Sequence, residues 1–188
     1  MESITYYDLD GTLSNLNNSY DFAYGYYKYN RKYLRFLLVR TLHFLVKRIY
    51  FISLSQRRRI ILTAMFYRLN KIDLLEYYRK EYCNLFEKEL SPLGKKVKND
   101  DNRAQVMLTG CVEVPAYIIG EYFGFGKVIC TTFKSEGSVI KGIDTDTFGN
   151  LKAQYIENDQ TKNIIYFTDD EKNEGELKKK VTQFVVVE

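Results

Sequence analysis

Two carboxylates directly follow a short strand-like segment at the beginning of this chain. Residues 3–7 have the β-branched and aromatic character of a strand, and Asp8 and Asp10 come next, followed by Gly11 and Thr12. Side chains at positions i and i+2 of an extended backbone point to the same side, so both acids can reach one site. The glycine permits a tight exit from the strand. Because open α/β sheets place their ligands at the carboxyl ends of strands, this segment predicts an α/β fold with a site here.

The second half of the chain repeats the alternation of strands and helices. Strands are predicted at 105–108, 127–131, 163–167 and 183–187, helices at 112–123, 151–156 and 174–180, and a hairpin at 132–142 with Glu136 and Gly137 as its turn. Strands that alternate with helices indicate a parallel sheet with right-handed crossovers. The sequence therefore predicts a parallel α/β core.

A helical block interrupts this core between its first and second strands. Residues 19–90 contain one glycine and no proline, and Ser55 and Asp73 are predicted to begin the second and third helices of the block. On a helical wheel, one broad arc holds Leu34, Leu37, Leu38, Thr41, Leu45 and Ile52, and another holds Lys28, Lys32, Arg40, His43 and Lys47. This pattern predicts an amphipathic helix with His43 on its surface. Residues 34–52 carry too many charges for an ordinary transmembrane span.

The charge of the chain is distributed very unevenly. No Asp or Glu lies between Phe22 and Ile72, whereas this stretch holds 12 of the 28 basic residues. The remainder therefore has 16 basic residues against all 24 acidic ones. A split of this size predicts an anionic partner for the helical block.

The three cysteines, Cys83, Cys111 and Cys130, do not have the spacing of metal ligands. We expect free thiols in a reducing cytoplasm, because no secretory signal precedes the first strand. Cys111 is expected to be a small buried residue at a helix start.

Four segments, in order, resemble the motifs of the haloacid dehalogenase (HAD) hydrolases. Asp8-Leu9-Asp10-Gly11-Thr12 resembles the first motif, DxDGT, and Thr109 before Gly110 resembles the second, a hydroxyl residue at a strand tip. Lys152, in Gly149-Asn150-Leu151-Lys152, resembles the third, with Lys127 and Lys141 as competitors. The fourth, an acidic cluster, corresponds to Asp169, Asp170 and Asn173. Thr168 replaces the glycine of this motif, and Asn173 replaces an aspartate.

The resemblance is to subfamily IB of these hydrolases, the phosphoserine-phosphatase-like group. It implies a HAD-type Rossmannoid parallel sheet core formed by residues 1–14 and 104–188. Residues 15–103 correspond in position to the all-helical, C1-type cap of this subfamily.

The resemblance also implies a mechanism, in which Asp8 attacks the phosphorus of a phosphomonoester and Asp10 serves as acid and then base. Thr109, Gly110, Lys152 and Gly11 would bind the phosphate. Mg²⁺ would be bound by Asp8, by the main-chain carbonyl of Asp10 and by Asp169, with waters oriented by Asp170 or Asn173. An asparagine supplies no charge, so Asn173 implies a lower metal affinity.

The basic, tyrosine-rich cap leaves three interpretations open. It is a solvated helical face, or an interfacial helix that docks peripherally on anionic lipid, or an attractor of small soluble phosphorylated substrates. The second suits a phospholipid headgroup phosphate as substrate, as in the phosphatidylglycerophosphatases that resemble this subfamily. Two other classes compete: a catalytically weak HAD scaffold, and a nucleic-acid-binding protein. Nucleic-acid binding does not explain the acidic strand tips.

Overall fold

The computed structural model describes residues 3–156 and 163–187 of the 188-residue chain. Its strands are β1 (Ser3–Tyr7), β2 (Val106–Val112), β3 (Lys127–Thr131), β4 (Phe133–Glu136), β5 (Val139–Ile143), β6 (Asn163–Thr168) and β7 (Gln183–Val186). Five of them form one parallel sheet in the order β3-β2-β1-β6-β7. The predicted α/β class is confirmed. Because β1 is the central strand, Asp8 and Asp10 follow it at the middle of the carboxyl edge.

Six helices lie between β1 and β2, and we call them the helical insertion. They are α1 (Asn18–Tyr29), α2 (Tyr33–Lys47), α3 (Leu54–Phe66), α4 (Lys71–Tyr77), α5 (Cys83–Lys88) and α6 (Pro92–Val97), with a π-helical segment at Tyr78–Tyr82. Two helices belong to the sheet region, α7 (Glu113–Phe123) and α8 (Gly175–Lys178), and short 3₁₀ segments occupy Gly149–Tyr155 and Glu171–Asn173. The division into a core of 1–14 and 104–188 and a cap of 15–103 stays a prediction.

The predicted starts of two helices were wrong by two and three residues. Ser53, not Ser55, caps α3, because its hydroxyl accepts from the Gln56 N–H while the Gln56 side chain accepts from the Ser53 N–H. This reciprocal capping box satisfies two otherwise unpaired donors. Asn70, not Asp73, caps α4 by accepting from the backbone N–H of Ile72.

The predicted hairpin is present as β4 and β5, and it ties the insertion to the sheet region. The Arg68 N–H donates to the Ile140 carbonyl at 2.8 Å, and the Ile140 N–H donates to the Leu69 carbonyl at 2.9 Å. The Lys71 N–H donates to the Ser138 carbonyl at 2.9 Å. Main-chain bonds of this kind fix the end of α3 against the hairpin.

Aromatic rings fill the centre of the helical insertion. Phe22 is fully buried, and its ring lies 5.1 Å from that of Tyr82 in an edge-on arrangement and 5.3 Å from that of Tyr77. Tyr78 packs on the same cluster, with its ring 5.6 Å from Tyr82. Such pairs contribute about 0.5–1.5 kcal/mol each beyond the area that they bury. The many tyrosines of the sequence therefore serve mainly as core residues here.

Helix α2 presents its apolar arc to solvent instead of burying it. Its buried residues are Val39 and Val46, whereas the broad arc of leucines is exposed. Leu34 is 73% exposed, and Leu37, Leu38 and Leu45 are also exposed. The expectation that His43 is a surface residue was only partly right, because its Nδ1 lies 2.8 Å from the Tyr24 hydroxyl and its ring stacks on Tyr20. No helix of the described residues is long and apolar enough to cross a bilayer.

Candidate active site

A cavity of about 450 Å³ opens at the carboxyl end of β1, between the sheet and the helical insertion. Its ionisable lining consists of four acids and four bases: Asp8, Asp10, Asp169 and Asp170 from the sheet edge, Lys152 from the 3₁₀ segment, and Lys47, Arg57 and Arg58 from the insertion. Gly11 and Gly110 also line it. Most of the sequence-predicted site residues therefore meet in one cleft.

Asp8 is buried and both of its carboxylate oxygens are engaged. Oδ1 accepts from the backbone N–H of Leu9 at 2.7 Å, and Oδ2 lies 2.7 Å from Nζ of Lys152. The Asp8 backbone N–H donates to the carbonyl of Phe167, so the residue continues the ladder between β1 and β6. These contacts hold the carboxylate in one orientation at the floor of the cavity.

Lys152 is the cation that faces Asp8, and neither competing lysine does so. Lys141 pairs with Glu136 at the surface, and Lys127 is exposed at the start of β3. Burial alone would lower the pKa of the Lys152 ammonium, but Asp8, Tyr166 and Glu174 beside it raise that pKa well above its ordinary range. Lys152 is therefore a permanent positive charge in the site.

Glu174 is a site residue that the sequence reading missed. It is buried, its Oε1 lies 2.5 Å from Nζ of Lys152, and it accepts from the Tyr166 hydroxyl at 3.3 Å. Burial raises the pKa of Glu174, while Lys152 acts in the opposite direction. The only sequence signal was an acid shortly after β6, which was read as part of an ordinary helix. Glu174 is therefore a second carboxylate, beside Asp8, that holds the ammonium of Lys152.

Asp10 is partly buried and is bound by one residue of α1. Its Oδ1 accepts from the Asn18 backbone N–H at 2.9 Å and from the Asn18 side-chain amide at 2.7 Å. The Tyr82 hydroxyl donates to the Asn18 amide oxygen at 3.1 Å and so orients that amide. Burial raises the pKa of Asp10 to about 6, although the Asn18 hydrogen bonds act to lower it. A carboxyl group with such a pKa can both donate and accept a proton near neutrality.

Asp169 lies beside the turn that follows Asp10. Its Oδ1 accepts from the Thr12 hydroxyl at 3.3 Å, and Gly11 leaves room for it, because a Cβ on Gly11 would lie 2.1 Å from Oδ2. Gly11 also has a φ of +77°, which side chains rarely adopt. Burial first, and then the Asp8 carboxylate, raise the pKa of Asp169.

The oxygen donors near Asp8 and Asp169 suit Mg²⁺, which takes carboxylates, carbonyls and water. The described residues contain no group of three or more acidic, histidine or cysteine side chains that could hold a metal. The ligand set that the resemblance implies contains only two such side chains, Asp8 and Asp169, because its third ligand is the main-chain carbonyl of Asp10. Burial first, and then the nearby Asp8 carboxylate, disfavour the charged form of Asp169 and raise its pKa, and a bound cation would stabilise that charge.

Thr109 was predicted to end a strand, and this was wrong. Strand β2 continues to Val112, with a bulge between Leu108 and Val112 where its pairing with β3 shifts register. The Thr109 side chain is fully buried, and its Oγ1 accepts from the Cys111 N–H at 3.0 Å. Gly110, not Thr109, is among the residues that line the cavity. Bulges of this type re-aim residues next to functional sites.

Asp170 and Asn173 bind each other. The Asn173 side-chain amide donates to both Asp170 oxygens at 2.8 Å, and Asp170 accepts from the Asn173 backbone N–H at 3.2 Å. Asp170 lines the cavity, whereas Asn173 is not among its lining residues. The Asn173 side chain therefore positions Asp170 and does not itself line the cavity.

A buried ion pair joins the insertion to the sheet region at the cavity wall. Nη1 of Arg58 lies 2.8 Å from Oδ1 of Asp146, and Nη2 donates to the Gly110 carbonyl. The Arg58 guanidinium also lies over the Phe148 ring, 4.9 Å from its centroid. Asp146 accepts from the Thr131 hydroxyl at 3.4 Å. No local sequence pattern indicates this pair, because its members are 88 residues apart.

The fold is similar to those of several solved structures. A protein of unknown function from Bordetella pertussis Tohama I matches 99% of this chain and 90% of its own length, with a TM-score of 0.79 at 15% identity. A phosphoserine phosphatase, solved as a phospho-aspartyl intermediate analogue, matches 98% of this chain and 93% of its own, with a TM-score of 0.55 at 13% identity. A probable phosphoserine phosphatase from Vibrio cholerae gives a TM-score of 0.64 at 11% identity over 99% of this chain and 56% of its own.

No curated protein sequence matches the chain. The sequence model of the haloacid dehalogenase-like hydrolases matches residues 6–171, which include the end of β1, the insertion and β6. The match covers most of the chain and includes the cavity residues from Asp8 to Asp170. The predicted resemblance is thereby confirmed, and the chain belongs to the haloacid dehalogenase-like hydrolase family.

Proposed function

We propose that this protein is a Mg²⁺-dependent phosphomonoester hydrolase that acts through an aspartyl-phosphate intermediate. The observation that carries the proposal is the arrangement of Asp8. Its carboxylate is fixed between Lys152 and the Leu9 N–H at the floor of a cavity that Asp10 also lines. The family and the fold support phosphohydrolase chemistry.

In the first step, an oxygen of Asp8 attacks phosphorus and the alcohol of the substrate leaves. The proton that the alkoxide needs comes from Asp10, whose raised pKa of about 6 leaves roughly one tenth of the carboxyl groups protonated at pH 7. In the second step, the ionised Asp10 takes a proton from water, and the resulting hydroxide attacks phosphorus and releases Asp8. Splitting one displacement into two steps lowers each barrier.

Lys152 is the residue that offsets negative charge in both steps. Its ammonium contacts Asp8 and is also held by Glu174, so it stays in place when Asp8 becomes phosphorylated. Gly11 and Gly110 line the part of the cavity wall where the phosphate would bind, and buried Thr109 supports the Gly110 bulge. Asp8, Asp169 and the main-chain carbonyl of Asp10 would hold Mg²⁺, with water oriented by Asp170 or Asn173, and the cation would supply neutralisation of the negative charge on the phosphoryl group.

The insertion side of the cavity offers cations to the rest of the substrate. Lys47 and Arg57 line the cavity, and the described parts of the chain show no ion pair for either. Nε of Arg57 is buried and has no hydrogen-bond partner among the described residues. We therefore propose a small phosphorylated substrate, free or as a lipid headgroup, with a second polar or anionic group near Arg57.

Phosphate release from a broad panel of phosphomonoesters, including p-nitrophenyl phosphate, tests the proposal in the presence of Mg²⁺. Asp8→Asn should abolish release, and Asp10→Asn should lower kcat by about 10²–10⁴-fold. Asp101→Asn, at an exposed acid far from the cavity, is the matched control. A folded protein that hydrolyses none of the panel, or an Asp8→Asn variant with full activity, would favour the non-catalytic scaffold.

A further inference from the structure

The exposed side of α2 and the loop after it form a continuous apolar surface. We call this surface the apolar face, and it consists of Leu34, Leu37, Leu38, Phe44, Leu45, Tyr50 and Phe51. Tyr50 and Phe51 are 86% and 91% exposed, more than any other large hydrophobic residue of the described chain. Residues spaced by three and four positions share one side of a helix, so the leucines form a single stripe. Large exposed apolar patches mark interaction sites.

The charges around this face restrict what can cover it. No acid lies between residues 22 and 72, and the exposed cations Arg40, Lys47 and Arg48 flank the stripe. The guanidinium of Arg48 sits over the ring of Phe44, 3.9 Å from its centroid. Asp21 of α1 lines a surface pocket together with Arg40, Phe44 and Lys47, but α2 itself carries cations and no acid. An apolar stripe on such a cationic helix matches a bilayer with anionic headgroups, where rings enter the interface and cations meet phosphates.

A second copy of this chain is a poorer occupant. A two-fold dimer through this face would place the same cations of both subunits close together, and α2 carries no acid that could pair with them. Like charges across an interface oppose association. The absence of acids between residues 22 and 72 thus favours an anionic surface over self-association.

The apolar face also lies at the rim of the catalytic cavity. Lys47 and Leu54 both line the cavity, and the loop that carries Tyr50 and Phe51 connects them. A molecule docked through this loop would therefore open its cavity toward the headgroup layer.

We propose that the helical insertion docks on anionic lipid bilayers through the apolar face and its flanking cations, with the cavity opening at the bilayer surface. The loop residues insert among the headgroups, while Arg40, Lys47 and Arg48 meet lipid phosphates. A phosphate carried on a lipid would then reach Asp8. This last part rests on the proposed hydrolase function, whereas docking does not.

Sedimentation with vesicles tests docking directly. The protein should pellet with phosphatidylcholine vesicles that contain about one third phosphatidylglycerol, and not with phosphatidylcholine alone. High salt should weaken binding, because at about 1 M it shortens the screening length to about 3 Å. The double variant Tyr50→Ser, Phe51→Ser should bind at least about tenfold more weakly. Val186→Ser, which removes an exposed apolar side chain from β7 of the sheet region, should bind normally.

The absence of tryptophan from the sequence provides a second measurement. Phe51→Trp introduces a single indole at an exposed site, so folding should not be disturbed. Its emission should shift to the blue and be quenched by brominated lipids when anionic vesicles are added. Tyr117→Trp, at an exposed position of α7 in the sheet region, should show neither change.

Docking and catalysis can fail separately. Asp8→Asn should bind vesicles like the wild type although it hydrolyses nothing, and the Tyr50→Ser, Phe51→Ser variant should still hydrolyse water-soluble phosphates. No pelleting with anionic vesicles and an unchanged Phe51→Trp spectrum would overturn the proposal. A stable dimer that the double variant dissociates, or binding that is equal on neutral vesicles, would also overturn it.

Discussion

Removing one member of the Arg58–Asp146 pair should strongly destabilise the junction of the insertion and the sheet region, because it leaves the other charge buried and unpaired. Both side chains are buried, the two charged atoms are 2.8 Å apart, and the guanidinium also binds the Gly110 carbonyl. Arg58→Met would leave the Asp146 carboxylate buried with only hydroxyl and backbone donors. Removing one member of a buried pair costs about 3–5 kcal/mol. We expect a loss of this size in the free energy of unfolding.

Urea denaturation followed by circular dichroism measures this loss. With a dependence of about 2 kcal/mol per molar urea, the midpoint should fall by about 2 M. Asp146→Asn should also destabilise, and the double variant Arg58→Met, Asp146→Asn should recover part of the loss. The coupling in this double-mutant cycle should be about 1–3 kcal/mol.

A matched control is available at the surface. Lys80 and Glu76 form an exposed pair at 3.3 Å, and Lys80→Met should cost less than about 1 kcal/mol. If Arg58→Met cost no more than Lys80→Met, or if the two changes at Arg58 and Asp146 were simply additive, the pair would not be the junction that we describe. Because Arg58 also lines the cavity, hydrolysis by its variant should fall as well.

Three further predictions concern the cavity. Glu174→Gln should lower kcat/KM by about 10–100-fold, because Lys152 loses the charged partner that fixes it against Asp8. Asp169→Asn should raise the Mg²⁺ concentration for half-maximal hydrolysis at least about tenfold, whereas Asn173→Ala should change it less than about threefold, since Asn173 does not line the cavity. Gly11→Ala should destabilise the protein by more than about 1 kcal/mol in thermal unfolding and abolish hydrolysis, because the new Cβ would meet Asp169.

Each of these changes has its own control. Glu176→Gln, at an exposed acid two residues after Glu174, should leave kcat/KM unchanged. Gly137→Ala, at a positive φ with open space around it, should show the cost of backbone strain alone and keep full activity. Equal effects at Asn173 and Asp169 on Mg²⁺ activation would contradict the assignment of metal ligands.

The part of the site that follows strand ends was predictable from the sequence. Asp8 and Asp10 follow a recognisable strand, Asp169 follows another, and the carboxyl ends of parallel strands meet at one edge. Lys152 was preferred over Lys127 and Lys141 because Gly149-Asn150-Leu151-Lys152, the helical residues after it and its distance along the chain from Asp169 resemble the third family motif. The positions of the strand ends come from hydrophobic periodicity and local turn residues, which are visible without coordinates.

The remaining features depend on contacts between distant residues. Glu174 looks like any acid in a short helix until its contact with Lys152 is seen, and Arg58 looks like one of three consecutive arginines. The bulge that buries Thr109 arises from the pairing of β2 with β3, which no local pattern encodes. Likewise, an apolar arc on α2 predicts burial by default, and only the packing of Val39 and Val46 reveals that this arc faces outward.

Chemical trapping of the phosphorylated enzyme tests the central claim most directly. Borohydride reduces an acyl phosphate, so quenching the protein during turnover of a substrate with Mg²⁺ should convert one aspartate to homoserine. Mass spectrometry of the peptides should place this change at Asp8. No change should occur when substrate is left out, and the peptide of the Asp8→Asn variant that contains Asp10 should also be unchanged. Homoserine at another aspartate, or rapid turnover with no modified Asp8, would contradict the proposed mechanism.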